Sequence, residues 1–304
     1  MKAREIRRWS VGICAVILFG GCGGTQPPAG APNAMQVARS WIASQTIPQK
    51  LLYVSDLGTN AVDVYPYPKG ALIGKLTGFG SVAGLCTDTA GDVFVVDESG
   101  PVVMFAHGGT TPIRTLATTE APYGCAVDPA SGDLALTNLS SYLAGVVSIY
   151  RRAKGSPKVY KDTSVDSTYF CSYDGKGNLF VDGWDRSANF ILIELPKGAS
   201  TFTITHLQGA KQPGGVQFDG HYVAVGDQGA GVVYRMKGGA VAQTIKLGRG
   251  ANVEQFWIAG STIVGPNAQN DGTVGFWSYP SGGAPTQSLN AFVYPIAAAV
   301  SIAP

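Results

Sequence analysis

From residue 51 onward, short apolar runs alternate with turns. Six of these runs end on an acid, an amide or a small residue: LLYVSD (51–56), DVFVVD (92–97), DLALTN (133–138), NLFVDG (178–183), HYVAVGD (221–227) and STIVGPN (261–267). Each is followed by a turn and a second run, such as AVDVYPYP (61–68), PVVMFAHGG (101–109) or GTVGFWSYPSGG (272–283), that carries an aromatic or other large apolar residue near its end. Runs this short, rich in Val, Ile and Tyr and bounded by Gly, Asp and Asn, predict β-strands. Taking Asp56, Asp97, Asn138, Gly183, Gly226 and Pro266 as equivalent, the steps are 41, 41, 45, 43 and 40 residues. A period in the forties with several strands per unit predicts the blades of a β-propeller.

Two further strands complete each unit. A short one precedes the first run, at 81–88, 122–128, 168–174, 213–219 and 253–260, and leads into turns such as Asp88–Gly91, Asp128–Gly132, Asp174–Gly177 and Asp219–Gly220. Asp bonds forward to turn amides and Gly accepts positive φ, so these residues are turn chemistry. The outer strand ends on Leu76, Leu116, Tyr160, Leu207, Leu247 or Leu289. The first unit lacks its short strand, and the C-terminus has one to spare at 294–303. The pattern predicts an all-β, six-bladed propeller of four-stranded blades over 51–304, with the C-terminal strand completing blade one and hiding an edge. Val293, Ile296, Val300 and Ile302 are its expected buried side chains. Trp257, Trp277 and Tyr279 read as packing between blades.

The N-terminus follows another pattern. Lys2, Arg4, Arg7 and Arg8 precede an apolar stretch from Trp9 to Phe19, too short to span a bilayer and suited to an export signal. Residues 23–50 then read as a Gly/Pro-rich tether and a short pre-domain segment, in which 35–44 is expected to form one or two helical turns. Residues 1–22 hold four of the 22 basic and one of the 20 acidic side chains, leaving 18 basic and 19 acidic. That balance, with no long basic run, points away from nucleic acid. Of the remaining cysteines, Cys86, Cys125 and Cys171 occupy the same inner-strand element (GLCTD, GCAVD, FCSYD). They read as buried thiols or, alternatively, as a Cys125–Cys171 bridge between adjacent blades.

Chemistry-bearing residues are few. His107, His206 and His221 fall in three different blades without metal spacing, and no Cys-x-x-Cys or G-x-S-x-G motif occurs. One constellation remains. Asp56, Asp97, Asn138, Asp182, Asp227 and Asn267 end the second strands, which topology brings to one face around the channel mouth. They read either as caps of local turns or as a ring of oxygen ligands for Ca²⁺ or another hard cation. Tyr123, Tyr169, Trp184, Asp185 and Glu254 belong to the same face and are candidate ligand contacts.

Two resemblances add to this. The junction Leu18-Phe19-Gly20-Gly21-Cys22 resembles the lipobox of bacterial lipoproteins, which implies acylation of Cys22 and a mature chain held at a membrane in the cell envelope. GDVFVVD and GNLFVDG, each followed by alternating apolar residues, resemble NHL-type six-bladed propellers, a fold that hosts enzymes, binders and scaffolds alike. The gluconolactonase/SMP-30 group of such propellers binds one metal through Glu, Asn and Asp. Asp56, Asn138, Asp182 and Asp227 could imitate that set, but the group's E-G-P-x-W and N-G-x-x-x-x-P-D-G segments are absent. A lyase similar to the virginiamycin-B type would need a channel-face His, which the spacing does not supply. The expected function is a non-catalytic, lipid-anchored monomer without a cofactor that binds a protein or small molecule on its channel face. A metal-dependent hydrolase is the alternative.

Overall fold

The computed structural model describes residues 39–44, 46–118, 121–139, 145–248, 251–267 and 272–304. They form six antiparallel sheets, the blades of a propeller. Blade two shows the plan: an inner strand Val82–Thr87, a second Val93–Asp97, a third Val102–Phe105 and an outer Pro112–Leu116, each paired with the next. Blades three, four and five begin with inner strands Pro122–Val127, Val165–Tyr173 and Pro213–Phe218 and continue into second strands Leu134–Asn138, Leu179–Asp185 and Val223–Asp227. Blade six pairs a short inner strand, Trp257–Ala259, with Thr262–Asn267.

Because successive side chains of a strand point to opposite faces, a blade packed on both sides needs a near-continuous apolar run. Lys50–Asp56 shows this. Leu51 and Tyr53 face blade two, where they meet Leu85, Val93 and Val95, whereas Leu52 and Val54 face blade six and meet Val264, Val274 and Phe276. The core is therefore six apolar layers, one between each adjacent pair of blades.

Closure follows the expected route. Pro295–Ile302 pairs antiparallel with Lys50–Asp56, from Lys50↔Ile302 to Asp56↔Pro295. The buried set differs from the expected one. Ile296, Ala297, Ala298, Ala299 and Val300 are buried, but Val293 is 65% and Ile302 48% exposed. Val293 lies in the loop before the strand, and Ile302 at its last position, beyond the neighbouring blades' cover. The pre-domain segment also departs from expectation. Trp41–Ile42 is a strand, not a helical turn, and pairs with Gly74–Lys75 as a fifth, outermost strand of blade one. The free edge of Gly74–Leu76 offers unpaired backbone groups, and β-branched Ile42 suits that edge better than an isolated helical turn.

The cysteines are corrected as well. Cys86 and Cys125 form a disulfide, with Cα atoms 5.7 Å apart, between blades two and three, and Cys171 is a buried free thiol. Cys125 and Cys171 both stand three residues before their turn Asp, at 128 and 174, whereas Cys86 stands two before Asp88. Equal register sends Cys125 and Cys171 to the same side of their blades, so they cannot face one another. An offset of one turns Cys86 toward Cys125, and both lie in the layer between blades two and three. Cys171 points into the next layer, where it packs with Ala126.

Candidate functional site

The strand-end acids form two rings rather than one. Asp56, Asp97, Asp227 and Asn267 clasp the loop that leads into the inner strand of their own blade. Asp97 accepts the Gly80 and Ser81 amides at 2.7 and 2.9 Å, and Asp227 those of Lys211 and Gln212 at 2.8 and 3.0 Å. Asp56 accepts the Val293 and Tyr294 amides at 3.0 and 2.7 Å, and Asn267 Oδ1 that of Asn252 at 2.7 Å. Asn138 ends its strand at the same register position; its Nδ2 donates to the Val146 carbonyl at 3.3 Å. The side-chain oxygens of Asp56, Asp97, Asp227 and Asn267 are thus occupied by backbone N–H groups. Among the described residues, no group of three or more His, Cys, Asp or Glu side chains is gathered as a metal set.

Asp182 belongs to the other ring. In blade four the clasp register falls on Gly183, so Asp182 lies one residue earlier and points to the opposite side of the strand. Ser55 and Thr137 hold that position in blades one and three. Ser55 Oγ accepts the Ala297 amide at 3.1 Å and donates to the Ala83 carbonyl of the next blade at 2.6 Å. Thr137 accepts the Gly124 amide at 2.8 Å and donates to Tyr169 of the next blade. Asp182 accepts the Phe170 amide at 2.7 Å and is fully buried. Burial pushes its carboxyl well above the usual range, only partly offset by the amides of Phe170 and Gly214. This inner ring ties neighbouring blades together.

The inner strands pack closely at the waist of the propeller. A Cβ on Gly84 would lie 2.5 Å from the Tyr123 carbonyl oxygen and 2.9 Å from the Gly124 Cα, so inner strands meet backbone to backbone there. In blade six, Val253 stays paired with Asn267 of its own blade, and the next residues reach toward other blades. The Gly215 amide of blade five donates to Glu254 O at 2.7 Å, and Gln255 bonds in parallel to Ile296 and Ala298 of blade one. The Gln255 side chain then reaches blade two, accepting the Leu85 amide at 2.9 Å and donating to its carbonyl at 2.6 Å. These bonds to other blades interrupt pairing between Val253 and Trp257, so the regular inner strand of blade six is short.

On the side bearing the clasp acids, the mouth gathers Tyr123, Tyr169, Tyr294 and Glu254. Glu254 is buried and accepts hydrogen bonds from the Tyr123 hydroxyl, at 3.3 Å, and from Tyr294. Burial lifts its carboxyl to about 7, against the two tyrosine hydrogen bonds that lower it. The Tyr123 ring meets Tyr169 edge-on at 5.7 Å and Phe170 at 5.3 Å. Tyr169 is hydrogen-bonded with Trp184, which packs on Phe190. Tyr123, Tyr169, Trp184 and Tyr294 are all half-buried and present part of their rings to solvent. Asp185 is apart from this group. It caps its own hairpin by accepting the Ser187 and Asn189 amides at 2.8 Å each, and it meets His206 at 3.1 Å. The Asn189 side-chain amide leads the interactions that lower its carboxyl to about 2. Sequence reasoning named neither Tyr294 nor the pairing of Tyr123 with Glu254, residues 131 positions apart. The FVYPIA run around Tyr294 carried the inner-strand pattern and was the available signal.

The chain matches no protein-family model and no curated protein. Among solved structures it resembles a chain in the crystal structure of a nidogen/laminin complex, with a TM-score of 0.71 and 14% identity over 83% of this chain and 98% of that one. It is also similar to a Bacteroides caccae protein of unknown function, with a TM-score of 0.66 and 12% identity over 83% of this chain and 99% of that one. Identities this low carry the propeller fold and nothing about activity.

Proposed function

We propose that this protein is a non-catalytic binding propeller, exported to the bacterial cell envelope and held there by lipid on Cys22. Its binding surface is the mouth formed by Tyr123, Tyr169, Trp184, Tyr294 and Glu254. The observation that carries the reading is this cluster of partly exposed aromatic residues beside a buried carboxyl, contributed by blades one, three, four and six. Aromatic faces with one polar anchor suit recognition. The oxygens of Asp56, Asp97, Asp227 and Asn267 already hold backbone amides, which favours a binder over a metal-dependent hydrolase. Cys22 and the export segment lie outside the described residues, so the anchor rests on the sequence motif.

Site-specific photo-crosslinking in intact cells tests the binding reading. A photoreactive residue at Tyr169 should capture a partner, and the same probe at exposed Ile113 on an outer strand should not. Equal capture at both positions, or none at Tyr169, refutes it. Acyl labelling lost in Cys22→Ser is the expected result for the anchor. Retained labelling, or a mature N-terminus elsewhere, overturns it.

A further inference from the structure

The opposite end of the channel carries a second, chemically different cavity. It encloses about 220 Å³ where the inner strands of blades two to six end. Gln255 and Phe256 of blade six contribute to its lining, and Val127, Tyr173, Phe218 and Trp257 supply apolar and aromatic wall. A shallower space of about 450 Å³ shares Thr87, Val127, Pro129 and Trp257 with it. Trp257 packs between blades, as the sequence pattern suggested, and being half-buried it also borders both spaces.

The chemistry of this wall is narrow. Of the residues around the inner cavity only Asp174 is charged, and its carboxylate is taken by the Lys176 and Asn178 amides at 2.8 and 2.9 Å and by Asn178 Nδ2 at 2.9 Å. Asp88, beside the outer space, likewise accepts the Ala90 and Asp92 amides at 2.9 and 3.0 Å. Both keep their negative charge, and among the described residues no Lys, Arg or His lines either space, so nothing there balances an anionic ligand. Gln217 is the directional group. Its Oε1 accepts the Ile258 amide, which fixes the side-chain amide plane and leaves the Nε2 protons as donors at the cavity wall. The Cys86–Cys125 disulfide joins two of the wall's blades covalently, so the site is preformed.

Size sets the ligand class. A dry apolar cavity of about 150 Å³ holds benzene, so this one has room for a bicycle. We propose that this mouth is a binding site for a flat, uncharged molecule of one or two rings bearing one hydrogen-bond acceptor, its ring against Trp257 and Phe218 and its acceptor on Gln217 Nε2. The site lies at the opposite ends of the inner strands from the aromatic–Glu254 mouth and shares no lining residue with it.

The test uses the full-length chain and coumarin, a neutral bicycle with a lactone carbonyl, followed by ligand-observed saturation-transfer NMR and titration. Coumarin should bind with Kd below about 1 mM, and coumarin-3-carboxylate, the same ring with a charge, about tenfold more weakly or worse. Val127→Trp, which fills the cavity, should abolish binding. Gln217→Glu keeps an acceptor for the Ile258 amide but removes the donors, and should weaken coumarin about tenfold, or about 1.4 kcal/mol. Should Val127→Trp fail to fold, Thr87→Phe narrows the same mouth from blade two and takes its place. The proposal falls if coumarin gives no saturation transfer, if the charged analogue binds equally well, or if a folded filling variant keeps the parent's Kd.

Discussion

Ala126→Cys should create a second inter-blade disulfide, with Cys171. The native bridge joins the residue two before the turn Asp of one blade to the residue three before it in the next. Ala126 stands two before Asp128, Cys171 three before Asp174, and both pack in the layer between blades three and four. Strand pairing supports the equivalence: Cys125 lies opposite Leu136 and Cys171 opposite Val181, each two residues before the clasp register of its blade. The new bridge would close a loop of 45 residues, for which chain-entropy reasoning gives an upper value of about 4 kcal/mol. In a domain this large each kcal/mol moves the melting temperature by about 2–4 °C, so a rise of about 5–15 °C is expected. Burial pushes the Cys171 thiol far up its titration range, leaving little reactive thiolate in the folded state. The variant should therefore be refolded in a glutathione redox buffer rather than oxidised afterwards. Peptide mapping under non-reducing conditions reads the pairing, and thermal unfolding with and without reductant reads the gain. Free thiols at both positions, or a Cys125–Cys171 bridge in place of the native one, would refute the pairing rule.

Four more outcomes follow from the same geometry. Glu254, lifted to about 7 in the folded state, keeps a proton there that the unfolded chain releases near 4.5, so its contribution to stability falls as pH rises between those values, by about 3 kcal/mol in all. Glu254→Gln should thus gain stability over the parent at about pH 8 and lose that advantage at about pH 4; identical pH profiles in urea unfolding would contradict it. Gly84→Ala places a Cβ against the Tyr123 carbonyl and Gly124 backbone, which cannot rotate aside; a loss of about 1–3 kcal/mol is expected in denaturant melts, and an unchanged midpoint would show that the waist is looser than described. Deleting 292–304 removes the strand paired with Lys50–Asp56 and the buried Ile296 and Val300, each worth about 1.5–3 kcal/mol; the product should be insoluble or much less stable, and a parent-like melt would rule out closure by this strand. Asp97→Ala removes the acceptor of the Gly80 and Ser81 amides and should cost about 0.5–2 kcal/mol by analogy with helix caps, equally in Ca²⁺ and in EDTA; a Ca²⁺-dependent stabilisation that the variant loses would restore the ion reading.

The repeat was legible because each blade is a local object. Its strands alternate with turns whose Asp and Gly residues act within a few positions, as when Asp174 accepts the Lys176 and Asn178 amides. The candidate site was legible only by address. Counting to the ends of second strands located Asp97 and Asp227 at the mouth, but a one-residue error in blade four grouped Asp182 with them, and on a strand one residue is the difference between two faces. Counting also could not reveal that Glu254 and Gln255 bond outside blade six, because their partners Gly215, Leu85 and Ile296 belong to three other blades.

Sequence alone determined the number of blades, the strand order within them and closure by the C-terminal strand, because period-two apolar patterning and turn chemistry are properties of neighbouring residues. Tertiary structure decided everything that depends on how one blade faces the next. It paired Cys86 rather than Cys171 with Cys125, brought Tyr123 and Tyr294 onto Glu254, and set part of Trp257, which also packs between blades, against a cavity. These contacts join residues dozens to hundreds of positions apart, and the side each residue presents is set by register and by the rotation between blades, which no local pattern encodes.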